Sequence, residues 1–211
     1  MTFTPPSLHE PFRWRGLRVG LFGGTFNPPH EGHVHACEIA LKYLRLDAVW
    51  WLVSPGNPLK PKTDTPPLDM RVAACRSFVK NPRIIVSDIE HDLGTARTLD
   101  TVSSLVKHFP HTDFIWLAGT DIAGEFHKWH QWRALAQKIP FAFIGRPTQS
   151  GLVRANALRR LSFLSHTPLL RGEKFSGEKR RIYWIFGEPL NPVSSTLLRR
   201  QMQDLQDSTQ E

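Results

Sequence analysis

The residues best suited to do chemistry stand together near the start of the chain, in GGTFNPPHEGH, residues 23–33. Gly23 and Gly24 allow a tight turn and let a ligand approach the backbone, and Pro28-Pro29 stiffens the rest of the loop. His30 and His33 flank Glu31-Gly32 where a helical pattern begins. Backbone N–H groups without partners and the positive end of the helix dipole attract an anion at such a place. Two imidazoles added there are donors for phosphate oxygens, so the chemistry implied is phosphate binding. Two other readings use the same residues: His30, His33 and His35 as metal ligands, or plain surface histidines at a helix start. No Cys/His cluster elsewhere in the sequence completes a metal site. The segment is neither GxGxxG nor GxxxxGK(S/T), which excludes the dinucleotide fingerprint and the Walker loop.

A loop of this kind must be held at the end of a rigid element, and the hydrophobic pattern supplies one. Apolar runs at 17–22, 48–53, 83–86, 114–118, 141–144 and 182–186 read as strands. Helical spacing appears at 33–45, from about Pro67 to 79, at 98–109, across 122–138, near 156–164 and at 194–205. Strands alternating with helices predict an α/β fold, a Rossmann-like open parallel sheet with helices on both faces. Ligands of such sheets bind beyond the carboxyl ends of the strands, and the 23–33 loop comes directly after the first strand. The expected organisation is an N-terminal arm over 1–16, one domain over 17–205 and a polar tail over 206–211.

With HxGH after a GG turn, the sequence resembles the nucleotidylyltransferase superfamily. SSTLLRR, residues 194–200, is similar to that superfamily's (I/V)SST-x-(I/L)R element. Physically, a serine there caps the last helix, whose N-terminus offers N–H groups, the Ser195 and Thr196 hydroxyls and Arg199 one turn on. Within the superfamily, WLVSPGNPLK, DIEHDLGTARTLDTV and FIWLAGTDIAGEFHKWHQW resemble the nicotinate-nucleotide adenylyltransferases in order and spacing. Asn27 departs from the family, many of whose members place Asp there.

That resemblance implies transfer of the AMP moiety of ATP to nicotinate mononucleotide, giving deamido-NAD and pyrophosphate, within NAD biosynthesis. The attacking phosphate is already ionised, so catalysis reduces to aligning two anions and neutralising charge. The implied catalytic residues are His30, His33, Lys60 and Arg199. ATP is assigned to Gly23, Gly24, Thr25, Phe26, His30, His33, Asp121, Ser195, Thr196 and Arg199, with Asp121 at a ribose hydroxyl or, alternatively, capping the next helix. Nicotinate mononucleotide is assigned to Trp129 as stacking residue and to backbone N–H groups near Thr98 and His130. Trp129 and Trp132 are expected on one helical face, with Trp132 in the core. Mg²⁺ is expected with ATP, held by nucleotide oxygens and water. His127 and His130, three apart, lack the further ligands a zinc site needs.

Composition narrows the partners. Hydrophobic residues are 40% and charged residues 22% of 211, as in a globular protein, and the longest apolar run is far too short to span a membrane. The N-terminus lacks a secretory h-region, and Cys37 and Cys75 read as buried small hydrophobes, so a cytoplasmic protein is expected. The net charge is +8, yet 133–200 alone carries 13 Lys/Arg against 3 Asp/Glu. A basic half suits an anionic small molecule. It also raises a nucleic-acid module as a rival, which lacks a recognition helix or an aromatic-basic stripe. Another rival is a different transferase of the superfamily, such as one acting on phosphopantetheine, which leaves GTARTLDT and KWHQW without a purpose.

Overall fold

In a computed structural model, the structure describes residues 3–56, 65–145, 156–169, 178–186 and 198–199. Among these, seven strands form one sheet: β1 (Arg18–Gly24), β2 (Ala48–Val53), β3 (Ile84–Ser87), β4 (Asp113–Gly119), β5 (Phe141–Ile144), β6 (Ser165–Leu169) and β7 (Arg181–Ile185). Their order is β3-β2-β1-β4-β5-β7-β6, and every pair is parallel. The helices are α1 (Glu31–Tyr43), α2 (Leu68–Phe78), α3 (Ile89–Asp92), α4 (Thr98–His108), α5 (Thr120–Glu125) and α6 (Trp132–Lys138). None of the described helices is long and apolar enough to cross a membrane.

Alternation along the strands builds two cores. In β2, Ala48, Trp50 and Leu52 face one side, with Val102 and Leu105 of α4 and Leu135 of α6. Val49, Trp51 and Val53 face the other, with Cys37 and Leu41 of α1 and Val72 of α2. Burial on both faces is why the run AVWWLV is apolar without a break. The predicted Rossmann-like sheet with helices on both faces is the fold observed.

The N-terminal arm expected over 1–16 packs onto the domain through Trp14. Trp14 lies in a short 3₁₀ turn, Pro11–Trp14, and is 2% exposed, its ring edge-on to Trp50 at 4.7 Å. The Thr112 hydroxyl donates to its carbonyl. The helical stretch over 122–138 is broken. After α5 comes a 3₁₀ turn, Phe126–Lys128, then a break at Gln131 in the left-handed region (φ 48°), and only then α6. Trp129 closes the turn and Trp132 opens α6, so they do not share one helical face. Strand β6 has no counterpart among the expected strands, because SHTPL is polar and contains Pro168. As an edge strand that pairs, among the described residues, with β7 alone, it tolerates a residue without an N–H. The helix expected near 156–164 is a 3₁₀ turn over Ala157–Arg160, capped by the Asn156 side chain. The helix expected over 194–205 lies largely outside the described residues.

Trp14 supplies a test of that packing. Trp14→Ala should lower unfolding stability by about 3–5 kcal/mol, the cost of emptying an aromatic site in a packed core. Urea unfolding measures it, and a change below ~1 kcal/mol would refute the packing.

Candidate active site

The sheet grows one way from β1 through β2 to β3 and the other way from β4 to β5, so strand order reverses between β1 and β4. The crevice beyond their carboxyl ends is where an open parallel sheet binds its ligand. Two of the expected segments meet there: residues 25–33 after β1, and Gly119-Thr120-Asp121 after β4.

Gly23 and Gly24 are still strand, paired with Leu52 and Val53, rather than the turn expected from sequence. A Cβ on Gly23 would sit 2.9 Å from the Trp116 indole, so this glycine makes room for a ring. The turn itself falls on Phe26, which is buried with φ 48°. A non-glycine residue in that region is strained, and ring packing opposes the strain. Phe26 stacks on Trp51 at 4.5 Å and meets the His33 ring edge-on at 5.0 Å.

His30 is the N-cap of α1 and is 8% exposed. Its backbone N–H donates to His33 Nδ1 at 3.2 Å, and its carbonyl accepts from the His33 N–H at 2.9 Å. The two rings stack with centroids 3.6 Å apart. Burial, followed by repulsion from His30, drives the His33 imidazole down to about 3. At neutral pH His33 is therefore uncharged. With Nδ1 accepting, its proton sits on Nε2, leaving one oriented N–H donor on the far side of the ring. The same ring also caps α1, so His33 bears on folding as well.

Arg199 reaches this loop from the far end of the sequence, its guanidinium donating to the Asn27 carbonyl. That contact sets Arg199 against the histidine loop. Lys60, Ser195 and Thr196 lie outside the described residues. Asp121 is exposed in the first turn of α5, where its carboxylate folds over Gly119; a side chain on that glycine would collide with it. It makes no capping bond to the helix.

Trp129 is half-buried against Phe126 at 5.3 Å and edge-on to Trp116 at 6.1 Å. Trp116 thus touches the space left by Gly23 on one side and Trp129 on the other. Trp132 is also only half-buried, under the Arg133 guanidinium at 4.6 Å, instead of lying in the core. His130 is exposed. Thr98 opens α4, so its N–H has no intrahelical partner and can receive an anion. Among the described residues no three His, Cys, Asp or Glu side chains converge on a metal position.

Two buried groups are not apparent from sequence. Arg71 of α2 donates to three backbone carbonyls around the loop. Its one signal is a cation set within the apolar stripe of Leu68, Val72 and Cys75. Glu90 of α3 accepts from the Thr101 hydroxyl at 2.9 Å, and Thr101 meets the Thr95 hydroxyl at 2.9 Å. The Thr95 N–H in turn donates to the Glu90 carbonyl. This network ties α3 to the loop that leads into Thr98. Burial raises the Glu90 carboxyl to about 7, against the opposing effect of Thr101.

A model of the cytidylyltransferase-like family matches residues 21–201. A protein of Ruegeria pomeroyi named "probable nicotinate-nucleotide adenylyltransferase" is 40% identical over 196 residues, 90% of this chain and 88% of its own. The chain belongs to the cytidylyltransferase-like family. A Cereibacter sphaeroides relative with the same printed name is 48% identical over 182 residues, 86% of this chain and 96% of its own. A solved structure of Plasmodium falciparum nicotinic acid mononucleotide adenylyltransferase complexed with NaAD superposes with a TM-score of 0.62. It covers 87% of this chain and 83% of that one at 14% identity, a likeness of fold.

His33 and Glu90 each predict a pH dependence. In the ligand-free protein, His33 should remain the neutral Nε2–H tautomer from pH 5 upward, read by nitrogen chemical shifts; a midpoint near the ordinary 6.5 would overturn the buried, capped ring. Its linkage favours folding fully above about 6.5 and is lost as pH falls toward 3. For Glu90 the sign is opposite, because the folded chain holds a proton that the unfolded chain releases. Its contribution is present below 4.5 and lost as pH rises through about 7. Glu90→Gln should therefore be more stable than the parent at pH 8, by up to about 3 kcal/mol, with no gain at pH 4. Urea unfolding at the two pH values checks it, and a loss at pH 8 refutes it.

Proposed function

We propose that the protein transfers the AMP moiety of ATP to nicotinate mononucleotide, releasing pyrophosphate and forming deamido-NAD. The observation that carries the reading is the meeting of the His30–His33 loop with Arg199, within a chain 40% identical over 90% of its length to a relative named for that reaction. The mononucleotide phosphate attacks the α-phosphorus in line with the departing pyrophosphate, and no covalent intermediate forms. Because this nucleophile is ionised at neutral pH, the site supplies donors and cations rather than a base. His33 Nε2–H and His30 face the α- and β-phosphates, with Gly23 to Phe26 as the backbone around them. Arg199, with Ser195 and Thr196, serves the leaving pyrophosphate, and Lys60 the triphosphate tail. Asp121 takes a ribose hydroxyl. Mg²⁺ enters as part of the MgATP substrate, held by nucleotide oxygens and water.

The pyridine ring stacks on Trp129, while N–H groups near Thr98 and His130 receive its carboxylate. A carboxamide would turn an NH₂ toward one of those donors and leave it unpaired, at a cost of about 1–3 kcal/mol. Pyrophosphate release should therefore favour nicotinate over nicotinamide mononucleotide by at least ~10-fold in kcat/KM. His33→Ala should lower turnover by at least ~10²-fold, the scale of one oriented donor, with a modest loss of stability from its cap. Turnover with 4′-phosphopantetheine and none with either mononucleotide would replace this reading by its rival.

A further inference from the structure

Arg71 is the fourth residue of α2 and is 3% exposed. A buried guanidinium is ordinarily matched by a carboxylate, yet among the described residues none lies within ion-pair distance of it. Its partners are backbone carbonyls on three separate segments. Nη1 donates to Thr25 O at 2.9 Å and to Ser54 O at 2.8 Å, and Nε donates to Pro66 O at 2.9 Å. Thr25 stands between the end of β1 and the turn at Phe26, Ser54 comes directly after β2, and Pro66 precedes α2. A single cation thus gathers the carboxyl ends of two neighbouring strands and the start of a helix.

The Thr25 bond has a directional consequence. The Thr25–Phe26 peptide is trans, so its carbonyl and its N–H point opposite ways. With the carbonyl held on the guanidinium, the Phe26 N–H is turned away from Arg71. A flip of this peptide would move Phe26 out of the strained left-handed region, so the observed orientation needs something to hold it. The stack of Phe26 on Trp51 holds the ring, and Arg71 holds the peptide plane.

We infer that Arg71 is a positioning residue for nucleotide binding: by clamping the Thr25 carbonyl it keeps the Phe26 N–H available to the phosphates of ATP. The inference rests on the proposed function, since it takes the loop to be the triphosphate site. Lysine at this position keeps the charge but, lacking the planar fork, cannot satisfy three carbonyls in the same directions. Methionine keeps much of the volume and removes every donor.

Calorimetric titration of the parent, Arg71→Lys and Arg71→Met with Mg²⁺ and a non-hydrolysable ATP analogue, and separately with nicotinate mononucleotide, tests it, with thermal melting alongside. Arg71→Met should bind the ATP analogue at least ~10-fold more weakly while mononucleotide affinity changes by less than ~2-fold. Arg71→Lys should fall between Arg71→Met and the parent. If Arg71→Met fails to fold, the same ligand contrast in Arg71→Lys decides. Unchanged affinity for the analogue in the folded variants overturns the inference, and so does an equal weakening for both ligands, which marks a merely structural residue. A parent that binds neither ligand overturns the proposed function and this inference with it. A parent that binds both, with variants that match it, overturns this inference alone.

Discussion

The pairing of β1 with β4 joins strands distant in sequence, with the growth of the sheet running in opposite directions on either side. The crossovers from β1 through β3 place α1 and α2 over one face, and the later ones place α4 and α6 over the other. The loops after β1 and β4 look across the mouth between the two strand ends. Among the described residues, the groups assigned to phosphate or ribose hang from one of those two strand ends or, like Arg199, lean against the loop after β1.

The protein burdens itself with polar groups in apolar company. His33 loses its charge to burial among Phe22, Phe26 and Trp51. Glu90 keeps its proton to an unusually high pH, and Arg71 keeps its charge by facing carbonyl dipoles. These are costly residues for a stable fold and, under the proposed function, useful ones for a site that receives polyanions. Neutral or cationic groups with fixed donors accept phosphate without reorganising, whereas flexible surface lysines would have to be ordered first.

How much the residues alone reveal depends on how local each signal is. AVWWLV and FAFI are apolar on both faces, and their strand bounds are legible to the residue because nothing but a covered parallel strand suits such runs. HxGH at a helix start is legible for the same reason, since its spacing and its capping geometry are one fact. KWHQW reads as helix because it contains no glycine or proline, and the left-handed turn at Gln131 answers instead to the packing of Trp129 on Trp116 and Phe126. The role of Gly23 depends on Trp116, a partner on another strand. Arg71 is hidden in plain view. Only the fold reveals that the three carbonyls it serves belong to three different segments.

Cys37 and Cys75 are fully buried, with the Trp51 indole N–H donating to the Cys37 sulfur at 3.0 Å. Burial pushes the Cys37 thiol well above its ordinary range and the Cys75 thiol up to about 12. Nucleophilicity toward alkylating and oxidising reagents resides in the thiolate, so the native molecule is chemically silent at both sulfurs. Since the sequence holds two cysteines in all, the wild-type chain is already a blank background for site-directed labelling. A dye attached through a cysteine introduced on the surface would report from that place alone, and any modification of the native pair would count molecules that had come open.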